Sequence, residues 1–216
     1  LKFTEFFSYE DCIVDAHDAL WNSGGRMIPF KDGKILLSIG VMTQMLLAQH
    51  TNSMFGKIIS IDLKTKEFET VSMGHRNPQG LFYDQNLNII INTEHGPTGG
   101  DEININFNPD NETIENYGWP ISTYGKHTEY LLKTSTERYE NKLMKDISTH
   151  KSHKDFGFIE PIKYFVPSIA ISEIIKIPKT FNEKFMNDFI IGALGYKGQI
   201  DQGEQSIHHT RFNDNF

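Results

Sequence analysis

Gly74-His75-Arg76-Asn77-Pro78-Gln79-Gly80-Leu81, then Thr93-Glu94-His95-Gly96-Pro97-Thr98-Gly99-Gly100-Asp101-Glu102, are the two stretches that decide how this chain is read. Together they gather an arginine, two amides, glycine and proline breaks and three carboxylates around a short apolar run. Core sequence is poorer in such groups. Polar and backbone-shaping residues at strand ends describe a ligand site built on a sheet.

Working outward, short apolar runs alternate with turn chemistry. Lys34 to Ile39 follows a Lys31-Asp32-Gly33 turn, a hairpin signal. Gly56 to Leu63 reads as a strand, Lys64-Thr65-Lys66 as its turn, and Glu67 to Met73 as the return. Leu81-Phe82-Tyr83, Asn88 to Thr93, Ile169 to Ile177 and Asp188 to Leu194 continue the series. Glu102 to Phe107 alternates isoleucine with polar residues, the pattern of a half-buried strand. The spacing predicts an all-β architecture: a sandwich, a barrel or a propeller. No clean internal repeat is visible; strand pairs recur roughly every 40 to 50 residues, as propeller blades do. One region, residues 127–154, breaks the rhythm and reads as a charged, lysine-rich insertion in an otherwise single domain of residues 1–216.

The 216 residues carry a net charge of −7, which argues against a nucleic-acid backbone as partner. No apolar run approaches the length of a membrane span. Cys12 is the sole cysteine, so neither an internal disulfide nor a cysteine-based metal site is expected. The chain opens Leu1-Lys2-Phe3, with neither a starter methionine nor a signal peptide, and the expectation is that an N-terminal portion is absent.

Arg76 offers a donor fork for carboxylates and carbonyl oxygens, and Asn77 adds a donor and an acceptor beside it. Pro78 ends sheet pairing there. A turn cap is the alternative reading of the Arg-Asn pair. Gly96-Pro97 places two carbonyls at a bend, which suits Ca²⁺ or merely a turn. Asp101 and Glu102 either support a cation or face solvent. His75 reads as a core hydrogen-bonder, and His208-His209, lacking a third ligand, as an exposed pair. Asn116-Tyr117-Gly118-Trp119-Pro120 is a dense aromatic anchor whose tyrosine hydroxyl could also meet a ligand.

Taken in order, Gly24-Gly25-Arg26, Asp32-Gly33-Lys34, Gly56 to Ile59, Gly74 to Leu81, Thr93 to Glu102, Asn116 to Pro120, Pro167-Ser168 and Gly192-Ala193-Leu194 resemble the soluble glucose/sorbosone dehydrogenase family, the PQQ-dependent aldose sugar dehydrogenases. The resemblance runs along nearly the whole chain. It implies a six-bladed β-propeller, here an incomplete ring of about four blades. It also implies pyrroloquinoline quinone (PQQ) and Ca²⁺ on one face, and oxidation of an aldose at its anomeric hydroxyl to a lactone. Carried over by motif, Arg76 and Asn77 would contact PQQ, with Arg76 also near the sugar. Lys197 would pair with PQQ. Gly96 and Pro97 would give carbonyls to the Ca²⁺ shared with PQQ, and Glu102 and Tyr117 match positions linked to a structural Ca²⁺. A periplasmic or secreted location follows from the same resemblance; the electron acceptor is unspecified.

Three departures stand out. The family's base histidine, four residues before the arginine of Gly-Gly-Arg, is Asn22 here, and a neutral amide is no proton acceptor near pH 7. The strand after Asp32-Gly33 ends Gly40-Val41 where Gly-Asp is usual. The chain stops at Phe216, before the family's late arginines, so a fragment of a longer chain is expected. Asn22 supports the alternative of a non-catalytic propeller that binds Ca²⁺ or carbohydrate. A Ca²⁺-dependent lactonase is a further alternative.

Overall fold

The computed structural model describes residues 1–11, 21–42, 44–97, 99–125, 153–181, 183–195 and 205–212. Among them are three sheets and no α-helix. The first sheet orders β1 (Gly24–Pro29), β2 (Lys34–Ile39), β3 (Lys57–Asp62), β4 (Phe68–Met73) and β8 (Glu115–Asn116). The second orders β5 (Pro78–Asp84), β6 (Ile89–Glu94), β7 (Asp101–Asn106) and β9 (Lys163–Phe165). The third orders β10 (Ile171–Lys176), β11 (Phe189–Ala193) and β12 (Ser206–Thr210). All pairings are antiparallel except β4 with the two-residue β8.

The first strands of the three sheets, β1, β5 and β10, lie side by side. Each sheet runs outward from that inner row, which is the blade arrangement of a propeller. Arg26 on β1 ties the row together: its Nε donates to the Gln79 carbonyl on β5, and its guanidinium pairs with Glu173 on β10 at 2.7 Å.

Apolar side chains glue blade to blade. Leu36 and Ile58 of the first blade meet Leu81 and Ile90 of the second. Ile89, Ile91, Ile103 and Ile105 of the second meet Ile171, Ile174, Phe189 and Ile191 of the third. The outer side of the third blade leaves Ile175, Leu194 and Ile207 exposed.

The hairpin expected at Lys31-Asp32-Gly33 forms, with Asp32 and Gly33 both at positive φ (56° and 72°). The half-buried reading of the strand from Glu102 does not hold: every residue from Asp101 to Asn106 is buried. Its polar side, Glu102, Asn104 and Asn106, shares a sheet face with Ile90, Asn92 and Glu94 by register and is buried instead of meeting water. Strand periodicity separates two faces; it does not say whether the polar one is wet. Of the expected insertion 127–154, only His153 and Lys154 lie among the described residues, in a 3-10 turn at His153–Phe156.

Candidate functional site

The segment Gly74–Asn77 crosses from β4 of the first blade to β5 of the second, and nearly all of its main-chain groups are committed. Gly74 N donates to Ala48 O, His75 N to Gly56 O, and Arg76 O accepts from Val41 N. Asn77 O accepts from His95 N, and the Asn77 side-chain oxygen accepts from Gly24 N at 3.1 Å. The motif thus fits between β1, β5 and β6 at the starting ends of the inner strands. Gly74 sits at φ 76° so close to Asn116 and Gly118 that a Cβ would lie 2.1 Å from the Asn116 side-chain oxygen. Only glycine fits there.

Arg76 is held at both ends by consecutive residues closing β6. Its main-chain N–H donates to Glu94 Oε1, and its guanidinium donates to the His95 carbonyl at 3.0 Å. The guanidinium lies 5.3 Å from the Trp119 ring, a cation–π distance. Its Nε is buried and has no hydrogen-bond partner among the described residues. Burial pulls the guanidinium down to about 10, against the opposing charges of Glu94 and Asp101, so it remains cationic at neutral pH.

The loop Gly96–Gly100 is packed backbone against backbone. A Cβ on Gly96 would lie 2.2 Å from the Gly100 carbonyl oxygen, and one on Gly125 would lie 2.0 Å from the Gly99 oxygen. Asp101 resolves the two open readings by neither route. It is fully buried, and its carboxylate accepts three main-chain N–H groups: Gly96 at 3.1 Å, Ile169 at 3.0 Å and Ile171 at 3.1 Å. It pins this loop to the start of the third blade. The carbonyls of Gly96 and Pro97 accept no hydrogen bond from the described residues.

Glu102 and Tyr117, expected at a structural Ca²⁺, each have a protein partner. Glu102 Oε1 pairs with His153 Nε2 at 2.9 Å, Oε2 faces the Asn104 amide at 3.3 Å, and His153 Nδ1 meets Ser122 Oγ at 2.6 Å. Burial raises the Glu102 carboxyl above the usual range, with His153 opposing. For His153, burial works against the charge, but the hydrogen bond and charge of Glu102 outweigh it and raise the imidazole. The Tyr117 hydroxyl donates to Glu115 at 2.8 Å, and burial lifts it well above the ordinary phenol value. In this arrangement His153 is the partner of Glu102 and Glu115 the partner of the Tyr117 hydroxyl. Among the described residues, no group of three or more His, Cys, Asp or Glu side chains is arranged for a metal.

His75 is a satisfied core histidine, as its sequence context suggests. It is fully buried, with Nε2 on Ser72 Oγ at 2.8 Å and Nδ1 on Glu94 Oε2 at 2.9 Å, and stacks on Tyr117 at 4.9 Å. His208 and His209 are neighbours on β12 and face opposite sides of it; His209 pairs with Asp188 at 2.6 Å and His208 with Ser206 at 2.8 Å. They share no ligand position. Lys197 lies outside the described residues.

Arg76, Gly96, Glu102 and Tyr117 nevertheless converge. They line one narrow cleft of about 10 Å³, the space of roughly one water, with Glu94, His95, Trp119, Ser122 and His153. Glu94, His95, Ser122 and His153 are the members that sequence reading left out. His95 and Glu94 sit inside the quoted motif, so their position was a signal; His153 lies beyond a long charged stretch and gave none. Burial pushes the His95 imidazole down. A larger open groove of about 500 Å³, between Ile28–Asp32 and Leu81–Gln85, sits at the far end of β1 and β5 and, of the motif residues, touches Leu81 alone. At the departures, Asn22 has φ 62° and its carbonyl accepts from Met42 N. Val41 is fully buried in an apolar cluster with Met45, Leu46, Ala48 and Trp119.

Comparison with known proteins follows the same residues. Residues 14–214 match the Glucose / Sorbosone dehydrogenase family. The chain is 32% identical over 115 residues to the aldose sugar dehydrogenase YliI of Escherichia coli, covering 47% of this chain and 30% of that protein. It is 28% identical over 158 residues to the quinoprotein glucose dehydrogenase B of Acinetobacter calcoaceticus, covering 59% and 32%. In structure it resembles the apo form of the soluble aldose sugar dehydrogenase of Escherichia coli, with a TM-score of 0.60 at 23% identity, over 87% of this chain and 53% of that one. The PQQ-bound form of the aldose sugar dehydrogenase of Streptomyces coelicolor gives a TM-score of 0.51 at 20% identity, over 87% and 48%. The matches thus span about a third of the curated relatives and about half of the solved chains. The all-β fold, the blade arrangement and the ordered motifs agree: this chain belongs to the glucose/sorbosone dehydrogenase family.

Proposed function

We propose that the Gly74–Leu81 and Thr93–Glu102 segments form part of a PQQ- and Ca²⁺-binding wall in a sugar dehydrogenase that oxidises the anomeric hydroxyl of an aldose to a lactone. The observation that carries this reading is the buried Nε of Arg76, without a hydrogen-bond partner among the described residues, in a cleft lined by Gly96, whose carbonyl, like that of Pro97 next to it in the chain, accepts no hydrogen bond from those residues. An orphaned guanidinium N–H suits an anionic oxygen, and paired carbonyls suit a hard cation. The residues fit both groups.

Arg76 would hold a quinone oxygen or carboxylate and lie near the sugar. Asn77, whose oxygen is committed to Gly24, has its amide N–H groups to offer. Lys197 is retained as a further PQQ partner, and Gly96 and Pro97 as the Ca²⁺ ligands. PQQ, when bound, supplies a two-electron acceptor for the hydride leaving the sugar C1. Trp119 and the Val41 cluster exclude water behind Arg76 and strengthen its field. The single domain of residues 1–216 and a periplasmic or secreted location belong to the same reading. No helix among the described residues is long and apolar enough to cross a membrane.

Asn22 and Val41 favour a second reading: a wall that binds without turnover. Neither side chain can take the hydroxyl proton, and Val41 is sealed in an apolar cluster. Dye reduction with glucose and other aldoses, after addition of PQQ and Ca²⁺, separates the two. Turnover abolished by Arg76→Ala supports the first; PQQ binding without turnover supports the second; lactone hydrolysis without PQQ binding would defeat both.

A further inference from the structure

We infer that Glu94 is the positioning residue for Arg76, and that Ser72, His75 and Glu94 form one hydrogen-bonded chain whose purpose is to present that guanidinium; the inference rests on the cofactor-wall reading above. Glu94 is 4% exposed and stands directly across from Glu102 in the β6–β7 register. A buried carboxylate opposite another is costly unless fully bonded. Glu94 is so bonded. Oε1 accepts the Arg76 main-chain N–H, and Oε2 takes His75 Nδ1 at 2.9 Å. His75 is fixed in turn by Ser72 Oγ at 2.8 Å and by the stacked Tyr117 ring. The neighbouring His95 carbonyl takes the guanidinium at 3.0 Å. The last residue of β6 therefore sets where the Arg76 backbone sits, and the next residue sets where its side chain points. A strand end that only needed packing would carry an apolar residue at position 94. Glu94 need touch no ligand; its effect reaches the cofactor through Arg76.

The test compares Glu94→Gln with Glu94→Met, reading hydrogen exchange of the Arg76 amide and PQQ affinity by calorimetry. Glutamine can still accept the Arg76 N–H, and its amide can donate to His75 Nδ1, with Nε2–H then turned to Ser72. Methionine keeps the volume and loses both bonds. The expected result is Arg76 amide protection and PQQ affinity within about threefold of wild type for glutamine, and a loss of about tenfold or more in both for methionine. Unchanged values in Glu94→Met overturn the inference. Equal losses in both variants also overturn it, because charge and not acceptor geometry would then matter. If the wild-type protein takes up no PQQ, the cofactor reading fails, while amide exchange still decides whether Glu94 holds Arg76. Should Glu94→Met fail to fold, Ser72→Ala loosens the same chain from its far end. Its expected signature is about threefold faster Arg76 amide exchange, and an unchanged rate counts against the inference.

Discussion

Lys57 is a fully buried lysine at the start of β3, and replacing it with methionine should remove a specific alkaline stabilisation. Its ammonium donates to three main-chain carbonyls: Leu47 at 3.0 Å, Ala48 at 2.9 Å and Phe55 at 2.8 Å. These bonds hold the 3-10 turn Met45–Gln49, whose Gln49 bonds Asn116 and the Trp119 carbonyl behind Arg76. Burial lowers the ammonium from 10.5 to about 8, with Asp11 the opposing charge. That drop corresponds to roughly 3 kcal/mol between the two protonation states. Between pH 8 and 10.5 the unfolded chain holds more protons than the folded one, so stability rises with pH across this window. In Lys57→Met, Leu47 O and Ala48 O keep the His50 and Gly74 amides, and only Phe55 O loses its donor among the described residues. Orphaning one carbonyl costs about 1–3 kcal/mol, comparable to the relieved burial of charge, so the variant at pH 7 should lie within about 2 kcal/mol of wild type. Urea unfolding at pH 7, 8, 9 and 10 should then show wild type gaining on the variant by about 2 kcal/mol as pH rises. Taking the difference cancels other titrations, including that of Tyr117. A gap that stays constant across the series would refute the argument.

Asp101→Asn should cost about 2–4 kcal/mol in denaturant unfolding, because an amide sets an N–H₂ against main-chain N–H groups that the carboxylate satisfies. Gly96→Ala should lower the melting temperature and abolish any stabilisation by added Ca²⁺, since its Cβ strikes the Gly100 carbonyl and must displace the carbonyl pair. Asn22→His with Val41→Asp should raise aldose-dependent dye reduction in the presence of PQQ by at least roughly 100-fold if loss of the proton acceptor limits turnover; unchanged rates would locate the limit elsewhere.

Much of the fold could be read from local pattern. The hairpin at Asp32-Gly33, the strand series and the convergence of two distant motifs are local signals, and Arg76, Gly96, Glu102 and Tyr117 meet in one cleft. What escaped depended on partners far along the chain. Lys57 and Glu102 look like surface residues until the carbonyls at 47, 48 and 55, or His153, close around them. Alternation in Asp101–Asn106 gives two faces but not that the polar one is buried as well. The partner of Glu102 in the fold, His153, lies 51 residues away and left no local signal.

The central claim is that Arg76 and the Gly96–Pro97 carbonyls form a cofactor wall. Calorimetric titration of PQQ into the protein, with Ca²⁺ and then with a chelator, tests it most directly. The account predicts saturable binding that needs Ca²⁺ and is lost in Arg76→Ala. Binding that is indifferent to chelator and equally strong in Arg76→Ala would contradict it.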